Sequence, residues 1–108
     1  MINYMVYLTP SEDKKHKYTM IIETRGLYTY KLFKFGAYGY LDYILSFGDD
    51  ERKAAYINRH KKREDWTING VLTKGFWSRW ILWNKPTLKE SIKDVEKRFP
   101  QIKIQFIP

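Results

Sequence analysis

Between Arg52 and Arg63 the chain reads RKAAYINRHKKR. Placed at about 100° per residue, Arg52, Tyr56, Arg59, His60 and Arg63 share roughly a quarter to a third of a helix circumference. The result is a stripe of arginines with one aromatic ring inside it, bordered at its end by Lys61 and Lys62. Arginine presents a planar fork suited to bidentate contact with phosphate or carboxylate, so these seven residues form a candidate anion-binding or nucleic-acid-binding surface. The competing reading is internal: the same arginines stack on Trp66, Trp77 or Trp80 and pair with Glu64, Asp65 or Asp42. A second cluster follows in GFWSRWILWN, where Trp77, Arg79, Trp80 and Trp83 crowd a short segment. Trp and Arg dominate docking surfaces, so these four are candidate partner-docking residues. Core packing is the alternative for each ring, although covering all of them in so short a chain leaves at least one Trp expected at the surface.

Other chemistry is thinly represented. His16 and His60 have no Cys, His or carboxylate at zinc-ligand spacing, and read as two solvent-facing bases. The carboxylates Asp49-Asp50-Glu51, Glu64-Asp65 and Glu90-Asp94-Glu96 are accounted for by helix capping and surface pairing with nearby Lys and Arg. Two glycines three apart, Gly36 and Gly39, sit among Phe35, Tyr38, Tyr40 and Tyr43. They suggest a turn that tucks its rings against a sheet rather than a phosphate cradle, because the Gly-Lys-Ser/Thr of a P-loop and the third glycine of a dinucleotide fingerprint are missing. A GIY-YIG nuclease site would need paired Gly-x-Tyr and Tyr-x-Gly strands in order, and these are missing too. No catalytic residue, metal ligand or cofactor is assigned, and a non-enzymatic protein is expected.

The elements that must position these groups follow from periodicity. Ile2, Tyr4, Val6 and Leu8 alternate as one strand; Tyr18, Met20 and Ile22 share a face of a second over 17–24. Arg25-Gly26 is the expected turn into a third strand from Leu27 to Phe35. That strand puts Tyr28, Tyr30 and Leu32 on one face with Phe33 and Phe35 out of phase, so it is expected to be buried on both faces or bulged. Asp49 or Asp50 caps a helix over 50–63, with Lys61-Lys62-Arg63 at its negative end. Residues 64–74 form a loop anchored by Trp66, and a short aromatic helix covers 75–84. Pro86 and the capping box Thr87-Leu88-Lys89-Glu90 open a helix with Leu88, Ile92, Val95 and Phe99 along one side. Pro100 ends it, and Ile102, Ile104 and Phe106 alternate as a last strand. The expectation is one α+β domain over 1–108: a small, mainly antiparallel sheet of three to four strands packed with two to three helices.

Composition sets the outer limits. The chain has 108 residues with nine Tyr, six Phe and four Trp, a ring content that excludes intrinsic disorder. It has no Cys, which excludes disulfides, thiolate metal sites and a cysteine nucleophile. No apolar run approaches the roughly 20 residues of a spanning helix, and the first residues lack the basic start and apolar stretch of a secretory signal, so a soluble, non-secreted protein is expected. Twenty Lys and Arg against twelve Asp and Glu leave a net charge of +8. Like charges repel in a compact state, so this excess points to anionic partners.

Phe35 to Ile92 resembles a family of small, uncharacterised basic proteins encoded by large nucleocytoplasmic DNA viruses of protists and algae. The resemblance rests on Phe35-Gly36-Ala37, Gly39-Tyr40 and Asp42-Tyr43, on Glu51-Arg52-Lys53, Tyr56-Ile57 and Arg59-His60, on Glu64-Asp65-Trp66, and on the run from Gly75 to Leu88 with Ser91-Ile92. Lys74 departs from it, standing where such sequences often have a small residue, and Leu45 to Gly48 lengthens the approach to the basic helix. The resemblance implies a viral origin and no established activity. It leads to the expectation of a non-enzymatic virion structural protein (minor capsid, cement or internal component) that docks on other virion or capsid proteins through the Arg stripe and the Trp-rich helix. The alternative is sequence-independent binding of the viral genome through its phosphate backbone. Either use places the protein in the virion or in the infected-cell cytoplasm.

Overall fold

Alternation in the first third of the chain produces three consecutive strands: β1 (Tyr4–Pro10), β2 (His16–Thr24) and β3 (Thr29–Ala37). The computed structural model describes residues 2–108. With β4 (Ile102–Phe106) it forms a mixed sheet in the order β3-β2-β1-β4. β1 and β3 each run antiparallel to β2, and β4 pairs parallel to β1. A parallel neighbour requires a crossover. The three helices between β3 and β4 supply it: α1 (Asp50–His60), α2 (Lys74–Trp77), extended by a π turn over Ser78–Leu82, and α3 (Leu88–Arg98). The fold is α+β.

Register places Val6 opposite Ile22 and Leu8 opposite Met20, and all four are fully buried. Phe33 and Phe35 continue this face on β3, and Ile102 does so on β4. Against it pack Phe76, Trp77, Trp80, Ile81, Leu82 and Val95. α3 forms as its capping box dictates, the Thr87 hydroxyl accepting from the Glu90 N–H at 3.2 Å. Its Phe99 ring closes the core against Phe76 and Trp80.

β3 departs from expectation. It is neither buried on both faces nor bulged: its register with β2 keeps one offset from Thr29 to Ala37, interrupted only at Gly36. Phe33 and Phe35 take the core, while Tyr30 and Leu32 face outward and are exposed. The helices cover only one side of the sheet, so period-two alternation sends one apolar set to solvent. The turn before β3 is also longer than expected, spanning Arg25 to Tyr28 with left-handed conformations at Gly26 and Tyr28. Gly36, near the end of β3, and Gly39, just after it, both take positive φ. Only one of the three tyrosines in that turn tucks in. Tyr43 is buried with its hydroxyl donating to Asp50, whereas Tyr38 and Tyr40 are exposed.

Candidate functional site

Asp49 caps α1 by accepting from the Glu51 and Arg52 N–H groups, which places acidic residues at the positive helix end and Arg59 and His60 at the negative one. The helix ends at His60. Both the Arg63 and Glu64 N–H groups donate to the His60 carbonyl, so Lys61, Lys62 and Arg63 lie in a turn beyond the helix rather than on its last turn. The arginine stripe is therefore split. Arg52 sits at the far end, 3.3 Å from its own cap Asp49. Arg59, Lys61, Lys62 and Arg63 are exposed at the other end.

Tyr56 does not present a free ring. It is buried between His60 and Trp83, with ring centroids at 4.4 and 4.7 Å, and Trp66 lies beyond at 6.2 Å. Burial, with the Glu64 charge nearby, pushes the Tyr56 hydroxyl up to about 12. Burial, reinforced by Arg63 and Arg59, also holds the His60 imidazole below its ordinary value, so at neutral pH it is a neutral ring.

In the Trp-rich segment most side chains are taken up inside the domain. Trp77 is fully buried and Trp80 nearly so. A buried indole N–H needs an acceptor, and both have one: Trp77 donates to the Val71 carbonyl at 2.7 Å and Trp80 to the Trp66 carbonyl at 3.0 Å. Trp66 and Trp83 are half-buried, so no tryptophan stands free. Arg79 is internal as well. It donates to the Trp83 carbonyl at 2.7 Å and lies over Trp80 at 4.4 Å and Trp66 at 5.6 Å, while Arg98 covers Trp80 at 4.3 Å. The arginines that stack on tryptophan are thus Arg79 and Arg98, and none of the stripe does so among the described residues.

The two segments instead build the walls of one cleft of about 540 Å³. Tyr56, Arg59 and His60 of α1 line it together with Gly75, Ser78, Leu82 and Trp83, and with Ala37, Tyr40, Leu41 and Asp42 of the glycine turn. Most of these residues belong to the block that carries the resemblance. Lys17, Glu64 and Lys74 complete the lining. Lys17 is committed: its ammonium is paired with the buried Asp42 carboxylate and donates to the Tyr40 carbonyl at 2.6 Å, which staples the turn to β2. The Asp42 carboxylate also accepts from the Leu45 N–H. Among the described residues Arg59, Lys61, Lys62, Arg63 and Lys74 have no carboxylate within salt-bridge distance. In the glycine turn the Tyr38 and Tyr40 N–H groups are spent on the Lys15 and Ala37 carbonyls and are not free for an anion.

Lys17, Glu64 and Lys74 were not singled out as cleft residues by sequence reasoning. Lys17 and Lys74 lie in segments without local motif, and only chain crossing brings them beside α1. Gly75 carried a readable signal: a β-carbon there would overlap the Glu64 carboxylate, so a glycine is what lets that side chain lie across the start of α2. No group of three or more metal-ligating side chains occurs among the described residues. No helix among them is long and apolar enough to cross a membrane.

One family model, described as "Family of unknown function (DUF5754)", matches residues 6–60, just over half the chain. No curated protein and no solved structure matches.

Proposed function

We propose, for a chain that belongs to the family of unknown function DUF5754 and takes no activity from that membership, that it binds nucleic acid without sequence preference through the phosphate backbone. The observation that carries this reading is a set of exposed cations with no carboxylate partner: Arg59, Lys61, Lys62 and Arg63 at and just beyond the C-terminal end of α1, and Lys74 at the start of α2, with Arg59 and Lys74 lining the cleft. Guanidinium and ammonium groups held in solvent by fixed backbone, and not neutralised internally, are suited to exchanging counterions for phosphates. The viral setting implied by the resemblance makes the packaged or replicating genome the natural polyanion. Docking on virion proteins through the Trp-rich helix has less to support it, because Trp77, Trp80 and Arg79 are held inside the domain and of the four candidates only the half-buried Trp83 lines the cleft.

The test is binding to a random-sequence DNA duplex and to a single strand across a salt series. About micromolar affinity near physiological salt is expected, with steep weakening as salt rises. Replacing Arg59, Arg63 and Lys74 together by alanine should reduce the logarithmic salt slope by about three, since each phosphate contact contributes about 0.9. No binding to either form, or a flat salt response, rejects the reading in favour of a structural role in the particle. Exposed apolar groups available to such a role include Tyr30 and Leu32 on the uncovered sheet face.

A further inference from the structure

Beside the cleft lies a second cavity of about 440 Å³, lined chiefly by apolar groups that include Pro10, Tyr18, Ile44 and Leu45. The Lys17–Asp42 ion pair is the wall common to both cavities, and the glycine turn is their shared rim: Tyr40 lines the cleft and Tyr38 the second cavity. The two rings are 72% and 57% exposed, although aromatic side chains of this size bury a large area when the fold has room for them. Nor are they loosely held. The Tyr38 N–H donates to the Lys15 carbonyl at 3.0 Å, the Tyr40 N–H to the Ala37 carbonyl at 3.3 Å, and Lys17 grips the Tyr40 carbonyl. The backbone bearing both rings is thus fixed in place before any ligand arrives, which lowers the ordering cost of binding.

From this juxtaposition we infer that the cleft takes single-stranded nucleic acid in preference to duplex, with Tyr40 as the stacking platform in the cleft and Tyr38, across the shared turn in the second cavity, as a platform for a neighbouring base. The inference rests on the phosphate-binding reading above and adds the class of nucleic acid. Arg59 and Lys74 in the cleft lining meet the backbone, and the exposed Tyr40 ring beside them meets a base face, which is the division of labour that single-strand binders use. A duplex offers no free base faces to the two rings, and a cleft of 540 Å³ has the size of a small-molecule site, too small for a double helix.

The experiment compares three fluorescently labelled probes of about 12 units at one moderate salt concentration: oligothymidine, the matching abasic phosphodiester strand, and a duplex. Oligothymidine is expected to bind about tenfold or more tightly than the abasic strand, the usual effect of one stacked base. Tyr40→Ala should bring oligothymidine down towards the abasic level while leaving abasic binding unchanged, and Tyr40→Phe should retain the difference because the ring face survives. Tyr40 is exposed, so its replacement leaves the core untouched. Equal binding of oligothymidine and abasic strand, tighter binding of the duplex, or no effect of Tyr40→Ala overturns the inference and leaves phosphate binding standing. Absence of binding to all three overturns both.

Discussion

Arg79 separates the arginines that hold this protein together from those offered to a ligand. Its Nη1 donates to the Trp83 carbonyl at 2.7 Å, and its guanidinium lies over two indoles. Replacement by methionine keeps most of the aliphatic packing and removes the charge. A hydrogen bond from a charged donor contributes about 1.5–3 kcal/mol, and a cation–π contact about 0.5–1 kcal/mol, or more when desolvated. Opposing these, burial and then the charge of Arg98 push the Arg79 pKa down, so the guanidinium is held at a cost that methionine would relieve. The net expectation for Arg79→Met is a loss of about 2 kcal/mol, which in a domain of this size lowers Tm by roughly 8 °C or more. Urea unfolding followed by far-ultraviolet circular dichroism gives the free energy directly. Arg59→Met, at an exposed position, should stay within about 0.5 kcal/mol of wild type while weakening nucleic-acid binding. A stability change under about 0.5 kcal/mol for Arg79→Met, with binding to a partner lost instead, would show that Arg79 is a docking residue and that its stacking contributes little to the fold.

Two glycines should respond differently to alanine. At Gly70 the new β-carbon would strike the Asp65 backbone carbonyl, so Gly70→Ala should cost about 2 kcal/mol by the same unfolding assay; at Gly75 it would meet only the movable Glu64 carboxylate, and the cost should stay under about 1 kcal/mol. Asp13 supplies a pH test. The Lys34 ammonium, aided by the His16 and Lys15 N–H groups and opposed by desolvation, holds its carboxyl far below the ordinary value of 3.8. A folded pKa below the unfolded one gives stability that is present above about pH 4 and is lost as the pH falls towards the folded value. The Tm difference between wild type and Asp13→Asn should therefore be largest near neutral pH and shrink in acid; a difference independent of pH would show that the ionised Asp13 carboxylate is not what stabilises the folded state.

The contrast between Arg79 and Arg59 also marks where sequence reasoning stopped. A helical wheel groups arginines by angle, and it correctly placed Arg59 and His60 on one side of α1. It carries no information about where the helix ends in space or what lies across from it. The His60 carbonyl, by taking two N–H donors from the following turn, cut the stripe short, and Asp49 claimed Arg52. For the Trp-rich segment, the π turn over Ser78–Leu82 and acceptors supplied by the Val71 and Trp66 carbonyls made room for two indoles that looked too numerous to bury.

What the sequence determined by itself is what neighbouring residues decide among themselves. Alternation placed Val6, Leu8, Met20 and Ile22 on one face; Asp49 and Thr87 started their helices; the spacing of Leu88, Ile92, Val95 and Phe99 identified the side of α3 that packs. These are interactions over a few residues, and the types and order of the side chains are enough to set them. Tertiary structure alone decided which face of β3 met the helices, which rings were covered, and that Lys17, Tyr40, Arg59, Glu64 and Lys74, drawn from distant segments, surround one cleft. Burial depends on what another part of the chain brings to the same place, and that closure across the fold leaves no local pattern in the sequence.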